Sequence, residues 1–124
     1  DFFISQVKLE KGDLAPVLDI ERKPRGKAQL QADLVKFLNR LEQHYGVKPI
    51  IYTSYKYMTR YLDTPEFAQY PLWIAHYYVD TLSYEGAWQF WQHTDYGTVP
   101  GIDESVDLNV FNGSLDGLQR YTLK

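Results

Sequence analysis

The sequence predicts an α/β fold built on a parallel sheet or barrel. Two observations carry this reading. Short apolar runs alternate along the chain with helical patterns, the layout of β/α units. The apolar runs also end in polar or aromatic residues, and in parallel α/β folds the carboxyl ends of the strands are where sites form.

The elements follow in order. Leu14 to Glu21 reads as a buried strand, because Ala15-Pro16-Val17-Leu18 is apolar and Pro24-Arg25-Gly26 stops it. A helix from Gln29 to Tyr45 is marked by Leu30, Leu34, Phe37, Leu38, Leu41 and Tyr45, which fall on one face, and Gly46 stands where a left-handed cap belongs. Pro49 to Thr53 is a second strand. Ser54 is placed to cap a helix from Tyr55 to about Tyr61, and Pro65 to Gln69 suggests a further helical turn. Leu72 to Ala75 is a third strand and Ala87 to Thr94 a fourth. Tyr96-Gly97 reads as a turn, and Asp107 to Phe111 as a last strand before Asn112-Gly113. On this reading Glu21, Tyr52, Thr53, Ala75, His76, Tyr77, Gln92 and His93 converge on one rim of the sheet.

Composition narrows the function. The 124 residues suffice for one small domain with a core. The net charge of −3 and scattered basic residues argue against nucleic acid as a partner. No apolar stretch approaches the roughly 20 residues of a membrane-spanning helix. Without cysteine there is neither disulfide nor thiol chemistry. His44, His76 and His93 lack metal-ligand spacing with nearby carboxylates, and no serine sits in a Gly-x-Ser-x-Gly elbow, so zinc hydrolase and esterase readings lack support. The 11 Tyr, 6 Phe and 3 Trp are many for this length, and rings beside polar groups at strand ends make platforms for sugar faces.

The first strand carries the chemistry. Asp19 and Glu21 are one residue apart, so their side chains share a face, with Cα atoms roughly 6–7 Å apart. Two acids at that range suit glycosidic-bond cleavage, one donating a proton to the leaving oxygen while the other stabilises positive charge. The alternative is a strand ending in solvated acids, with Glu21 paired to Arg22 or Lys23. Asp107 is open between a site carboxylate and a turn-stabilising Asp after Pro100-Gly101. Trp73 is open between core and sugar contact.

Five segments together resemble glycoside hydrolase family 25 lysozymes, the N-acetylmuramidases. Pro16-Val17-Leu18-Asp19-Ile20-Glu21 is similar to the family's Asp-x-Glu strand, and Pro49-Ile50-Ile51-Tyr52-Thr53-Ser54 to its next strand. Leu72-Trp73-Ile74-Ala75-His76-Tyr77 resembles its Trp-Ile-Ala-x-Tyr segment, Phe90-Trp91-Gln92-His93-Thr94 its Trp-Gln segment, and Val106-Asp107-Leu108-Asn109-Val110-Phe111 its terminal Asp-x-Asn-x-Phe segment. The resemblance implies part of a TIM-like barrel of five β/α units and three more strands. It implies hydrolysis of the β-1,4 bond between N-acetylmuramic acid and N-acetylglucosamine in peptidoglycan, without a cofactor or metal. By position Glu21 is the general acid. Asp19 polarises the substrate's 2-acetamido group as internal nucleophile, in a retaining, substrate-assisted mechanism. Asp107 is a further site carboxylate, and Tyr52, Trp73, Tyr77 and Gln92 line the sugar cleft. The glycan strands of peptidoglycan are the implied partner, and an extracellular, envelope-associated or phage-borne endolysin setting the implied location. A family 18 chitinase-like enzyme also uses an Asp-x-Glu strand end but places another Asp where Val17 stands. An inactive barrel remnant or a sugar-binding module is the alternative from another class. Nothing before Leu14 supplies the family's first strands with their Asp-Val-Ser-type segment. Residues 1–124 are therefore expected to be a partial catalytic domain, with Asp1 to Ile4 the tail of a preceding helix. Strand 14–21 is expected to pair with an upstream segment or another chain, and the helix 29–45 to be packed on one side only.

Overall fold

The computed structural model describes residues 1–124. A short helix, α1 (Phe2–Gln6), precedes strand β1 (Val17–Asp19). Helix α2 (Lys27–Tyr45) leads to β2 (Ile50–Ser54), helices α3 (Tyr55–Tyr61) and α4 (Pro65–Ala68), and β3 (Leu72–Ala75). Strands β4 (Phe90–Val99) and β5 (Ile102–Phe111) form a hairpin, and α5 (Leu115–Leu118) runs into a 3₁₀ turn at Gln119–Tyr121. The sheet order is β1-β2-β3-β4-β5, with the first four strands parallel and β5 antiparallel to β4. The sheet curls into half of a barrel, the expected α/β class and part-barrel architecture.

The two faces of the sheet hold different cores. On the outer face Ile51, Leu72 and Ile74 pack against Leu34 and Leu38 of α2, Tyr57 and Met58 of α3, and Leu62, Phe67 and Tyr70. Leu38 and Ile74 are fully buried, and each such side chain contributes about 1.5–3 kcal/mol. On the inner face a smaller cluster of Ala15, Ile50 and Phe90, flanked by Val17, Trp73, Phe111, Leu118 and Tyr121, forms a floor. Helix α2 stops where Gly46 enters the left-handed region at φ 76° and its N–H donates to the Glu42 carbonyl. Ser54 caps α3 by accepting from the Tyr57 N–H at 3.1 Å.

The structure corrects several boundaries. The first strand is Val17–Asp19 rather than 14–21, because β2 is its sole ladder partner. Upstream of it, the C-terminal tail takes up the backbone groups. The Ala15 N–H donates to the Tyr121 carbonyl at 2.7 Å, Gly12 N–H to Leu123 O at 2.9 Å, and Leu123 N–H to Asp13 O at 2.8 Å. Leu14 bridges Thr122. The strand is not buried on both faces: Val17 and Leu18 are half-buried and Asp19 is exposed. Helix α2 is not bare on its second flank, because α1 docks there. Phe3 packs edge-on against Phe37 and Tyr45, with ring centroids 5.9 and 6.4 Å apart, and the Tyr45 hydroxyl donates to the Val7 carbonyl at 2.6 Å.

The hairpin differs most from expectation. Strand β4 begins at Phe90 rather than Ala87, and β5 begins at Ile102 rather than Asp107. Tyr96-Gly97 is not a turn but lies inside β4. The chain reverses at Pro100-Gly101, where Gly101 has φ 93°. Gly97 meets a different requirement. It is buried under β5 beside register irregularities, and a Cβ there would lie 2.5 Å from Leu108 side-chain atoms and 3.0 Å from the Val106 carbonyl oxygen. Gly97→Val is expected to destabilise the protein by about 1–3 kcal/mol, as overpacking does, read as a lower denaturant midpoint. An unchanged midpoint would show that the hairpin has room that this contact excludes.

Candidate active site

Strand register assembles the site. Asp19 lies beside Tyr52, Tyr52 beside Trp73, Trp73 beside Phe90, and Phe90 beside Phe111. In a ladder, residues in register share a face, so this row crosses the inner face from a carboxylate through two aromatic residues to the floor. The next row towards the carboxyl ends includes Ser54, Ala75, Gln92 and Asn109. Glu21 continues that row although it lies two residues past β1. The chain between is tied to β2: the Ile20 N–H donates to the Tyr52 carbonyl at 3.0 Å, and Thr53 Oγ1 donates to the Ile20 carbonyl at 2.5 Å.

The two acids interact. The Glu21 carboxyl holds its proton more tightly than an ordinary glutamate. A hydrogen bond with Asp19 is the largest cause, followed by partial burial and by the negative charge of Asp19. The Tyr52 hydroxyl is also pushed up, first by burial, then by the Tyr77 hydroxyl, then by the charges of Glu21 and Asp19. Tyr77 is pushed up by burial, against an opposing hydrogen bond from Tyr52, with Asp107, Asp95 and Glu21 adding to the rise. The two phenols therefore stand within the field of both acid sets, and both remain neutral donors near pH 7.

Gln92 links them. Its Oε1 accepts from the Tyr52 hydroxyl and, at 2.6 Å, from the Tyr77 hydroxyl, while its Nε2 donates to Asp107 Oδ2 at 2.9 Å. An ionised carboxylate only accepts, so the amide nitrogen must face Asp107 and the oxygen the phenols. Gln92 is 5% exposed. Its side chain holds the tyrosines and Asp107 in place from beneath rather than presenting a surface to sugar.

Six of the seven residues singled out from sequence thus form one set: Asp19, Glu21, Tyr52, Tyr77, Gln92 and Asp107. Trp73 lies in the row of Asp19 and Tyr52, edge-on to Tyr52 with centroids 5.3 Å apart, and its indole N–H donates to Asn109 Oδ1 at 2.8 Å. Sequence reasoning passed over Asn109, although its alternation with Asp107 and Phe111 puts it on the same face. It also missed the stack of Tyr55 on His76, 4.3 Å between centroids. The Trp91 indole, on the outer face, donates to the His76 carbonyl at 2.8 Å. No group of three or more His, Asp or Glu side chains is arranged to hold a metal ion, and no helix is long and apolar enough to cross a membrane.

Two clefts meet at Glu21. One, of about 420 Å³, is lined by Tyr55, Ala75, His76 and Tyr77 together with Glu21, Ser54 and Lys56. The other, of about 240 Å³, shares Glu21, Ser54 and Lys56 and continues along Lys23 and Arg60. A further cleft of about 310 Å³ beside Val47, Tyr70 and Arg120 has no acidic lining residue and lies apart from this chemistry.

With the acids at the carboxyl end of β1 and the tyrosine–Gln92–Asp107 network across the same rim, the match of residues 1–102 to the model of glycosyl hydrolases family 25 decides the family. The chain belongs to glycosyl hydrolases family 25. A family 25 glycosyl hydrolase of Bacillus anthracis superposes with a TM-score of 0.83 at 31% identity, covering 98% of this chain and 60% of that one. A bacterial lysozyme of Streptomyces coelicolor gives a TM-score of 0.80 at 29% identity, covering 92% and 59%. In sequence, YegX of Escherichia coli K12 is 40% identical over 121 residues, 96% of this chain and 44% of its own length. Lysozyme M1 of Streptomyces globisporus is 30% identical over 113 residues, 82% of this chain and 38% of its own length. The chain therefore spans about half the length of the family 25 relatives it matches.

Every cause acting on Glu21 raises its proton affinity, and Asp19 supplies two of the three. Asp19→Asn is therefore expected to move the Glu21 titration to lower pH, followed by carboxyl-carbon NMR. A midpoint that stays or rises would show that Asp19 is not the group acting on Glu21.

Proposed function

We propose that the protein is a lysozyme, hydrolysing the β-1,4 bond between N-acetylmuramic acid and N-acetylglucosamine in peptidoglycan. One observation carries the reading: in a family 25 chain, Asp19 raises the proton affinity of Glu21 beside a cleft with aromatic walls. A general acid needs a proton available near the working pH, and a neighbouring carboxylate shifts the acid in that direction. Glu21 donates its proton to the glycosidic oxygen as the bond to the anomeric carbon breaks. The carbonyl oxygen of the 2-acetamido group attacks that carbon from the opposite face, giving a cyclic oxazolinium ion. Asp19, beside the forming ring, stabilises its positive charge. Glu21, now ionised, takes a proton from water, and the resulting attack opens the ring with retention of configuration. Tyr52 and Tyr77 are neutral hydroxyls placed to orient the acetamido and hydroxyl groups. Asp107, held by Gln92, is the further carboxylate of the site. The setting this implies is the cell envelope or the space outside it, including phage-borne endolysins.

Glu21→Gln keeps size and polarity but has no acidic proton. In the full-length protein it is expected to lower turnover of cell-wall suspensions by at least roughly 10²-fold, the scale of a general acid, while glycan binding persists. Proton NMR of the first product formed by the unaltered protein should show the β anomer. Near-normal turnover in Glu21→Gln would remove the acid assignment. An α anomer appearing first would replace the substrate-assisted route with direct attack by water.

The same reading treats residues 1–124 as part of a catalytic domain. Strand β1 has a ladder partner on one side only, and a closed barrel leaves no such edge. We propose that a further strand of the full-length protein pairs there. Residues 1–124 alone are expected to melt at lower temperature and with less cooperativity than the full-length protein, and to clear no cell walls. A cooperative melt at the same temperature, with activity, would end this proposal.

A further inference from the structure

We propose that the cleft running from Glu21 along Lys23, Lys56 and Arg60 is an anion subsite, which takes the carboxylate carried by every second sugar of the glycan and so fixes how the strand lies across Glu21. The inference rests on the muramidase reading for the identity of the ligand, since N-acetylmuramic acid bears a lactyl group, free or extended by a peptide, and N-acetylglucosamine does not.

Three observations support it. First, the three cations line one cleft of about 240 Å³ that opens on Glu21. Second, none of them is in an ion pair. The chain's ion pairs are Arg40 with Asp1 and Lys48 with Glu42, both elsewhere. Arg60 lies over the Tyr61 ring, 5.7 Å from its centroid, which fixes the guanidinium without neutralising it. Third, the acid in the cleft does not occupy them. The causes acting on Glu21 are Asp19 and burial, and no cation is among them. In a chain of net charge −3, three unpaired cations lining the cleft at the candidate acid form a local positive field, which attracts and orients an anionic group.

The second cleft gives the direction. It shares Glu21, Ser54 and Lys56, but its other walls are Tyr55, Ala75, His76 and Tyr77. Its aromatic character suits the apolar face of a neutral sugar. A strand of alternating neutral and carboxylate-bearing sugars then has one preferred placement, with the neutral sugar against the rings and the carboxylate among the cations. Lys56, at the junction, touches both.

The test uses full-length protein carrying Glu21→Gln, so that ligands are not cut, with and without Lys56→Gln and Arg60→Gln together. Binding is measured by calorimetry for three probes: a peptide-free oligomer of alternating N-acetylglucosamine and N-acetylmuramic acid, the same oligomer bearing stem peptides, and the neutral N-acetylglucosamine tetramer. Removing the two charges is expected to weaken binding of a carboxylated oligomer about fivefold, the scale of exposed charge pairs, and to leave the neutral tetramer unchanged. Response of the peptide-free oligomer alone assigns the lactyl carboxylate, which a stem peptide converts to an amide, response of the peptide-bearing oligomer alone assigns the peptide carboxylates, and response of both means that the subsite takes either. Equal weakening of all three probes, or none, overturns the subsite. Should the double variant not fold, Lys56→Arg with Arg60→Lys keeps both charges, and raised salt replaces the mutations. Binding of the carboxylated oligomer must then weaken with salt while that of the tetramer does not. Hydrolysis is not part of this readout. Selective, charge-dependent binding by the variant, when the unaltered full-length protein clears no cell walls, would sustain the subsite and reject the muramidase reading alone.

Discussion

The register between β1, β2 and β3 is the constraint from which the site follows. A strand has a side-chain period of two, so slipping β1 by one residue against β2 would send Asp19 to the helix-covered face and Leu18 to the cleft. The slip is prevented because Leu18 and Ile20 belong with the outer core of Leu38, Ile51 and Ile74, while Val17 belongs with the floor. Burial of ordinary aliphatic residues thus sets the face on which two exposed carboxylates appear. Thr53 extends that control past the end of the strand. It is fully buried, and its hydroxyl binds the Ile20 carbonyl, so Glu21 follows a fixed segment although it belongs to no strand.

Gln92 extends the same logic across the rim. A buried amide without partners would cost about 1–3 kcal/mol for each group left unsatisfied. Here both ends are used, with Tyr52 and Tyr77 on one side and Asp107 on the other. The network ties β2, the segment after β3, β4 and β5 together at the level of the carboxylates. Tyr77 precedes Tyr78, whose backbone is left-handed at φ 60° and whose hydroxyl donates to Asp95 at 2.6 Å. A non-glycine residue in that region is strained, and strain of this kind collects where a side chain must be aimed. The bond to β4 holds the turn that aims Tyr77 at Gln92.

The parallel part of the fold was legible because each element carries its own signal: Gly46 and Ser54 at helix ends, a long one-faced helix in α2, and apolar runs at β2 and β3. The hairpin was not, because its decisive contacts are tertiary. Tyr96-Gly97 has turn composition, yet Gly97 is needed for the approach of Leu108 and Val106 from the opposite strand. The length of β1 was overread for a related reason: apolar composition at Leu14 to Pro16 reflects contact with the C-terminal tail and the floor, not strand pairing. At the site, residue type and position were readable for the two acids, the two tyrosines and Asp107. The task of Gln92 was not, since glutamine at a strand end reads equally as a sugar contact or as a buried brace, and only its burial separates the two.

The inner face divides within its rows as well as between them. Ala15, Ile50, Phe90, Phe111 and Tyr121 form an apolar floor, with Phe90 and Phe111 ending the row that starts at Asp19 and Tyr52. Towards the carboxyl ends come Asp19, Tyr52, Gln92, Asp107 and Glu21. Trp73 spans the boundary, its ring against Phe90 at 5.6 Å and its N–H directed to Asn109. Stability and chemistry therefore share one face of the same strands, and one row of it runs from the carboxylate of Asp19 to the floor residues Phe90 and Phe111.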